Sequence, residues 1–182
     1  MTISTKQILR VLLILSWLIF IGVCIEACGC IFSASYTLLI NHINAAHFWV
    51  GNDLSALYNY DPGYFIAETL LISIAAVLKA IMFYQIVKIL HYNKLDMAKP
   101  FSDELRRFIL RISWLAFGIG LFTNWGVNYT EWLVKKGISM PDTQPLHLGG
   151  SDVWLFMGVI LFVIAQIFKR GIEIQTENEL TV

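Results

Sequence analysis

Charge is scarce in this chain, and so are cysteine and any catalytic signature. Only 14% of the 182 residues are charged, against about 25% in an ordinary soluble domain. The hydrophobic fraction is 57%. A water-soluble fold of this size would leave about a third of its unfolded surface accessible, which is too much for such a composition. The shortage of charge therefore excludes an ordinary soluble domain and points to lipid as the solvent. Formal charges cancel to zero, so the total carries no footprint of nucleic acid or another polyanion, and direct nucleic-acid binding is not expected. The three cysteines, Cys24, Cys28 and Cys30, form no Cys-x-x-Cys pair and have no second cluster. Neither a disulfide framework nor a zinc site follows from that spacing. Cys24 and Cys28 lie one helical turn apart and read as small apolar packers. There is no His-Glu-x-x-His and no Gly-rich phosphate loop, and no nucleophile–base pair stands out. No catalytic residue, metal site or cofactor is expected.

What is present is four long apolar runs, at about 8–30, 65–89, 108–134 and 153–168. A helix needs about 20 apolar residues to cross roughly 30 Å of hydrocarbon. Each run must be helical, because an unpaired backbone amide in lipid costs several kcal/mol. The expected fold is an all-α membrane protein, one four-transmembrane-helix bundle. Lys and Arg set its orientation. Lys6 and Arg10 precede the first run, and residues 33–64 contain no Lys or Arg. Lys88, Lys94, Lys99, Arg106, Arg107 and Arg111 flank the second connection; only Lys135 and Lys136 lie in the third; Lys169 and Arg170 follow the last run. The positive-inside rule puts both termini, the connection 90–107 and the tail 169–182 in the cytoplasm. A small extracytoplasmic cap then spans 31–64. A cleaved signal peptide fits poorly, because the apolar run is long and Glu26 sits just before Ala27-Cys28. A fifth span at 31–50 would contain Asn41, His42, Asn44 and His47 and would export a basic flank.

Ionisable residues inside spans are functional candidates. Lys79 falls in the inner half of the second span, and its stem is expected to snorkel to the cytoplasmic surface. Glu26 and Glu68 fall at similar depth near the outer face, and Asn124, Asn128 and Glu131 descend one face of the third span. Convergence of these five would make a polar, acidic outer pocket. The plainer expectation is that each meets interfacial water. His42, His47 and His147 with Asp53, Asp61 and Asp152 have metal-ligand chemistry, but a five-residue spacing of His42 and His47 does not share a helical face. Phe48, Trp49, Tyr58, Tyr60, Tyr64 and Phe65 suit the headgroup level, and Asp61-Pro62-Gly63 reads as the turn into the second span. Small residues four apart, Ala76 and Ala80, Ala116 and Gly120, allow close helix packing.

On the cytoplasmic side, Lys99-Pro100-Phe101-Ser102-Asp103-Glu104 ends one helix and opens the next. Proline disfavours helix at the preceding residue, Ser102 is a good N-cap, and the two acids suit the first turn. The tail leaves the membrane at Lys169-Arg170 and turns acidic before Leu180-Thr181-Val182. Pro100-Phe101-Ser102 followed by Arg106 and Arg107, with the closing run Phe168 to Val182, resembles the bacterial family named domain of unknown function 2975. The span number and spacing extend that resemblance over the chain; the cap adds nothing to it. The family is small four-span membrane proteins, with no established activity or catalytic residues to carry over. Its members are often encoded beside a small helix-turn-helix regulator. The resemblance therefore implies a multi-pass protein of the bacterial cytoplasmic membrane whose partners are the lipid bilayer and a helix-turn-helix regulator. Its role would be a non-enzymatic sensor or regulatory partner. Docking would fall on Pro100, Phe101, Ser102, Arg106, Arg107, Lys169 and Arg170. The alternative is a small transporter, channel or immunity protein acting through the bundle, with a homo-oligomer forming the path.

Overall fold

Where backbone amides cannot pair with water they pair along their own helix, and long helices dominate this molecule. The computed structural model describes residues 5–91 and 101–179. It contains α1 (Thr5–Leu39), two 3-10 turns (His42–His47 and Trp49–Gly51), α2 (Ser55–Tyr60), α3 (Pro62–His91), α4 (Asp103–Lys135) and α5 (Ser151–Glu179). Among the described residues there is no strand, only an isolated bridge between Phe48 and Asn52. Among the described residues four helices are long and apolar enough to cross a membrane. The chain is thus an all-α, multi-pass membrane protein, as the composition required.

Local chemistry sets the boundaries. The Asp61 carboxylate accepts from Gly63 N at 2.6 Å, and Pro62 opens α3, where its missing N–H costs nothing. Ser102 caps α4, its hydroxyl accepting from Leu105 N at 3.3 Å, with Asp103 and Glu104 in the first turn. α4 is closed off, just past its cap at Lys136, by Gly137, whose φ of 85° is left-handed. Ile138 N donates to Leu133 O at 3.2 Å and Gly137 N to Val134 O at 2.9 Å, a Schellman ending with Ile138 packed on Leu133. Pro100, Lys94, Lys99 and Leu180 to Val182 lie outside the described residues.

Two boundaries differ from the sequence reading. α1 runs on to Leu39 because nothing in Ser33–Thr37 breaks a helix; Thr37 Oγ1 donates back to Ser33 O at 2.8 Å. The cap is therefore the segment after Leu39, stitched to α1 by Asn44, which donates to Ser33 Oγ and Thr37 Oγ1 at 3.1 Å each. The last helix does not end at the apolar run's limit of about 168; α5 continues into the tail to Glu179.

Neighbouring helices alternate in direction. Phe20 meets Tyr84 between α1 and α3. Glu68 meets Thr130 at one end of the α3–α4 pair, and a Cβ on Gly118 would meet Leu78 further along. On the α4–α5 pair, Gly120 leaves room for Leu155, and Gly158 for Phe117. Ser113 Oγ donates to Gly158 O at 2.8 Å in a buried position. The packing order is a row, α1–α3–α4–α5, and α1 and α5 do not pack on each other. Both described ends of the chain lie at the end of the bundle opposite the cap, here called the basic end.

The segment between α4 and α5 folds back into the molecule. Leu146 and Leu148 are buried in the same core cluster as Phe48, Leu54 and Phe65, and Leu148 fills the space left by Gly126. α5 therefore starts beside Asn124, not beside the end of α4. From Ser151 to Phe168 it is about 27 Å long, a bilayer's hydrocarbon thickness. The last three turns of α4, the first turns of α3 and the end of α1 rise beyond that level and enclose the cap.

Candidate functional site

Polar chemistry gathers in three places. The first is between α3 and α4 at the cap end. Glu68 is completely buried, and Thr130 Oγ1 donates to its Oε1 at 2.6 Å. The same hydroxyl also lies 3.0 Å from Gly126 O. Glu68 Oε2 and, two turns along α4, Thr123 Oγ1 are buried with no hydrogen-bond partner. Thr123, Gly126, Thr130 and Leu133 share the buried face of α4. Beside this pair, Thr130, Glu131, Lys135 and residues 140–145 line a cleft of about 750 Å³.

The second cluster joins α1, α3 and the infolded segment. Lys79 Nζ donates to His147 O at 3.0 Å, and His147 Nδ1 lies 3.4 Å from Glu26 Oε1. Cys30, one turn on from Glu26, is buried. The Trp49 ring lies directly on Gly29, where any Cβ would collide with it. His147 itself has a φ of 56°, an uncommon conformation for a side-chain-bearing residue.

Two expectations are corrected by this geometry. Lys79 does not reach for the basic end. Side chains on a helix tilt toward its N-terminus, which for α3 is the cap end, and the infolded segment brings a carbonyl down to meet it. Nor do Glu26, Glu68, Asn124, Asn128 and Glu131 form one pocket. The length of α1 sets Glu26 beside Lys79, well below Glu68. The face of α4 that meets α3 is that of Thr123 and Thr130, so Asn128 and Glu131 are exposed and Asn124 half-buried; Asn128 Nδ2 bonds only Asn124 O on its own helix, at 2.8 Å. The sequence reading missed Thr123 and Thr130, and it named His147 for metal-ligand chemistry, not as the neighbour of Lys79 and Glu26. The seven-residue spacing of the threonines, with Gly126 between, was the available signal for the first two.

In the cap, His42 stacks on Tyr58 at 6.1 Å, and Asp61 is occupied in capping α3. The hydroxyl and amide of Ser55 both donate to Asp53, at 2.5 and 2.8 Å, and hold its carboxyl below the usual range. Among the described residues, no three His, Cys, Asp or Glu side chains form a metal-binding group. Asn52 Nδ2 donates to Trp49 O at 2.9 Å and Pro145 O at 3.1 Å, which ties the cap to the infolded segment.

The third place is the basic end. Phe101 packs on Phe168, with ring centroids 5.4 Å apart, and fills the space that Gly171 leaves beside α5. The start of α4 is thus docked on α5 within the molecule itself. Arg106 pairs with Asp103 at 3.1 Å and Arg170 with Glu173 at 3.0 Å. Arg107 and Lys169 are exposed. A cleft of about 260 Å³ between α3 and α4 is lined by Lys88, Arg107 and Arg111, with Gln85 and Glu104, over Ile89 and Phe108.

Fold and site together define a four-span helical membrane protein with a polar, capped end and a basic end. The family model described as "Protein of unknown function (DUF2975)" matches residues 49–182, and the chain belongs to that family. The match begins within the cap, so the cap's second half is family sequence too. No curated protein and no solved structure matches the chain.

Proposed function

We propose that this protein is a non-enzymatic sensor or regulatory partner in the bacterial cytoplasmic membrane, with both termini cytoplasmic. The capped end receives the signal, and the basic end docks a cytoplasmic helix-turn-helix regulator. One observation carries the reading: α3 and α4 each hold a polar anchor at the capped end, Glu68 and Thr130, and a cluster of cations at the other. A ligand that binds one arrangement of the cap more tightly shifts the population at both ends of the same two helices. Arg107 and Lys169 are exposed cations open to a partner, and Arg106 stands one residue away from Arg107.

The test is co-purification in mild detergent with a helix-turn-helix protein encoded beside the gene, the neighbour that the family resemblance implies. The full chain is expected to retain the regulator, and Arg106→Ala with Arg107→Ala to release it. Absence of enrichment with the parent chain overturns the docking reading. Orientation is checked separately, with Cys24, Cys28 and Cys30 replaced by alanine. An impermeant maleimide on intact cells should reach Ser139→Cys and not Ser102→Cys; the reverse pattern refutes the layout.

The second reading is a small transporter, channel or immunity protein. It draws on Glu68 and Lys79, which share one face of α3 three turns apart. Because α1 and α5 do not close on each other, a conduit would need a second copy. Proteoliposome flux, with Glu68→Gln as the comparison, decides between the readings.

A further inference from the structure

At the basic end the cations are of two kinds. Arg106 and Arg170 are spent on Asp103 and Glu173. Lys88 and Arg111 have neither a hydrogen bond nor an ion pair with any residue the structure describes. They come from different helices, both are exposed, and they line the same cleft of about 260 Å³. Arg107 completes the cationic wall. Its Nε donates to Asp103 O at 3.2 Å, which fixes the guanidinium and leaves its terminal nitrogens unspent. Glu104 is the one acid in the lining, and Ile89 and Phe108 give the cleft an apolar floor.

Depth says what such a cleft meets. The pairings of Gly120 with Leu155 and Phe117 with Gly158 put Arg111 opposite α5 about one and a half turns, roughly 8 Å, inside Lys169 and Arg170. Lys88 is level with it across α3–α4. A cation facing lipid at that depth extends toward the headgroups, and among the described residues no acid pairs with Lys88 or Arg111. Lipid phosphate is the anion concentrated at that level, and basic pockets between transmembrane helices take anionic headgroups.

We propose that this cleft is a binding site for the phosphate group of an anionic phospholipid. Lys88 and Arg111 are its direct cationic ligands, Arg107 closes the rim, and Ile89 and Phe108 carry the first carbons of the lipid. The site shares Arg107 with the regulator-docking reading, but its direct ligands, Lys88 and Arg111, are not the residues altered in the docking test, so the two readings can fail apart.

The experiment uses the full chain, delipidated in detergent, and reads binding by native mass spectrometry and thermal shift. The probes are short-chain phosphatidylglycerol, short-chain phosphatidylcholine and inorganic phosphate. Phosphatidylglycerol is expected to bind at least tenfold more tightly than phosphatidylcholine. Inorganic phosphate at the same concentration should neither bind nor compete. Lys88→Gln with Arg111→Gln should bring phosphatidylglycerol down to the phosphatidylcholine level, while Arg170→Gln leaves it unchanged. The charge-keeping pair Lys88→Arg with Arg111→Lys should recover most of the binding, which separates a lost site from a lost fold. Equal binding of the two lipids overturns the proposal, as does parent-like binding by the double glutamine variant. Full competition by inorganic phosphate overturns it too, and assigns the cleft to a soluble phosphate.

Discussion

Thr130 is the residue whose removal tests the interior most sharply. Its hydroxyl is the one group that serves the carboxyl of Glu68, at 2.6 Å, in a position with no solvent access. Thr130→Val keeps the shape and deletes the hydroxyl. Both oxygens of Glu68 are then buried without a partner, since Oε2 already has none. A buried polar group left unsatisfied costs about 1–3 kcal/mol beyond the bond itself, so a loss of about 2–3 kcal/mol is expected. For a chain of this size each kcal/mol moves the melting temperature by about 2–4 °C, which gives a drop of about 4–12 °C in detergent. Removing both partners is different in kind. Glu68→Leu with Thr130→Val replaces the pair by apolar groups and should recover most of the loss, with a coupling of about 1–2 kcal/mol in the double-mutant cycle. Glu68→Gln should be milder than Thr130→Val. The Thr130 hydroxyl has one hydrogen and two acceptors within reach, Glu68 and Gly126 O, and an amide supplies the missing donor. The assay is thermal unfolding of the parent, Thr130→Val, Glu68→Leu, their double variant and Glu68→Gln, followed by far-ultraviolet circular dichroism. If Thr130→Val melts with the parent and the cycle shows no coupling, the buried pair is not there and the packing of α3 on α4 at the capped end is wrongly described.

Three further outcomes are expected. Lys79→Met removes the donor to His147 O and should free the segment between α4 and α5, seen as faster limited proteolysis within residues 138–147 while the spans stay protected. Val50 holds a φ of 60° while largely exposed, a left-handed conformation costing a β-branched residue about 1–2 kcal/mol. Val50→Gly should thus stabilise the cap by up to about 1 kcal/mol after the extra chain entropy of glycine, read as a rise in melting temperature. Asp53 is held below the usual carboxylate range by Ser55; a depressed carboxyl adds stability above its unfolded value and loses it as pH falls through its folded one. Ser55→Ala should therefore return the Asp53 titration upward in a carboxyl-resolved nuclear magnetic resonance experiment, and erase whatever loosening of the cap the parent shows in mild acid.

The spans could be read from the chain because lipid leaves one option for a run of about 20 apolar residues. The capping of α4 by Ser102 was equally open, since a cap depends on a few adjacent residues. The depths were not. Placing Glu26 and Glu68 at one level assumes that spans end where their apolar runs end, yet α1 continues through Ser33, Ser35 and Thr37 to Leu39. The partner of Lys79 was hidden for a related reason. It is a backbone carbonyl, supplied by a segment whose buried anchors are Leu146 and Leu148. Two leucines around a histidine carry no periodicity that would mark a loop as infolded. The rotation of α4 was hidden in its composition, because its two sides are both mixed, and only packing decides that Thr123 and Thr130 turn inward while Asn128 and Glu131 turn out.

That rotation also explains why the polar groups matter to the architecture. Packing in lipid gains little from apolar contact alone, so small residues and polar anchors settle which faces meet. In this molecule they act along one line. Ser113 fixes α5 on α4 through Gly158 O, Glu68 fixes α4 on α3 through Thr130, and Lys79 fixes the infolded segment on α3 beside Glu26 of α1. α3 carries two of these three anchors on one face, and it ends at the basic cleft with Lys88. A change that draws the infolded segment away from the capped end releases Lys79 and leaves Glu68 as the remaining cap-end polar anchor.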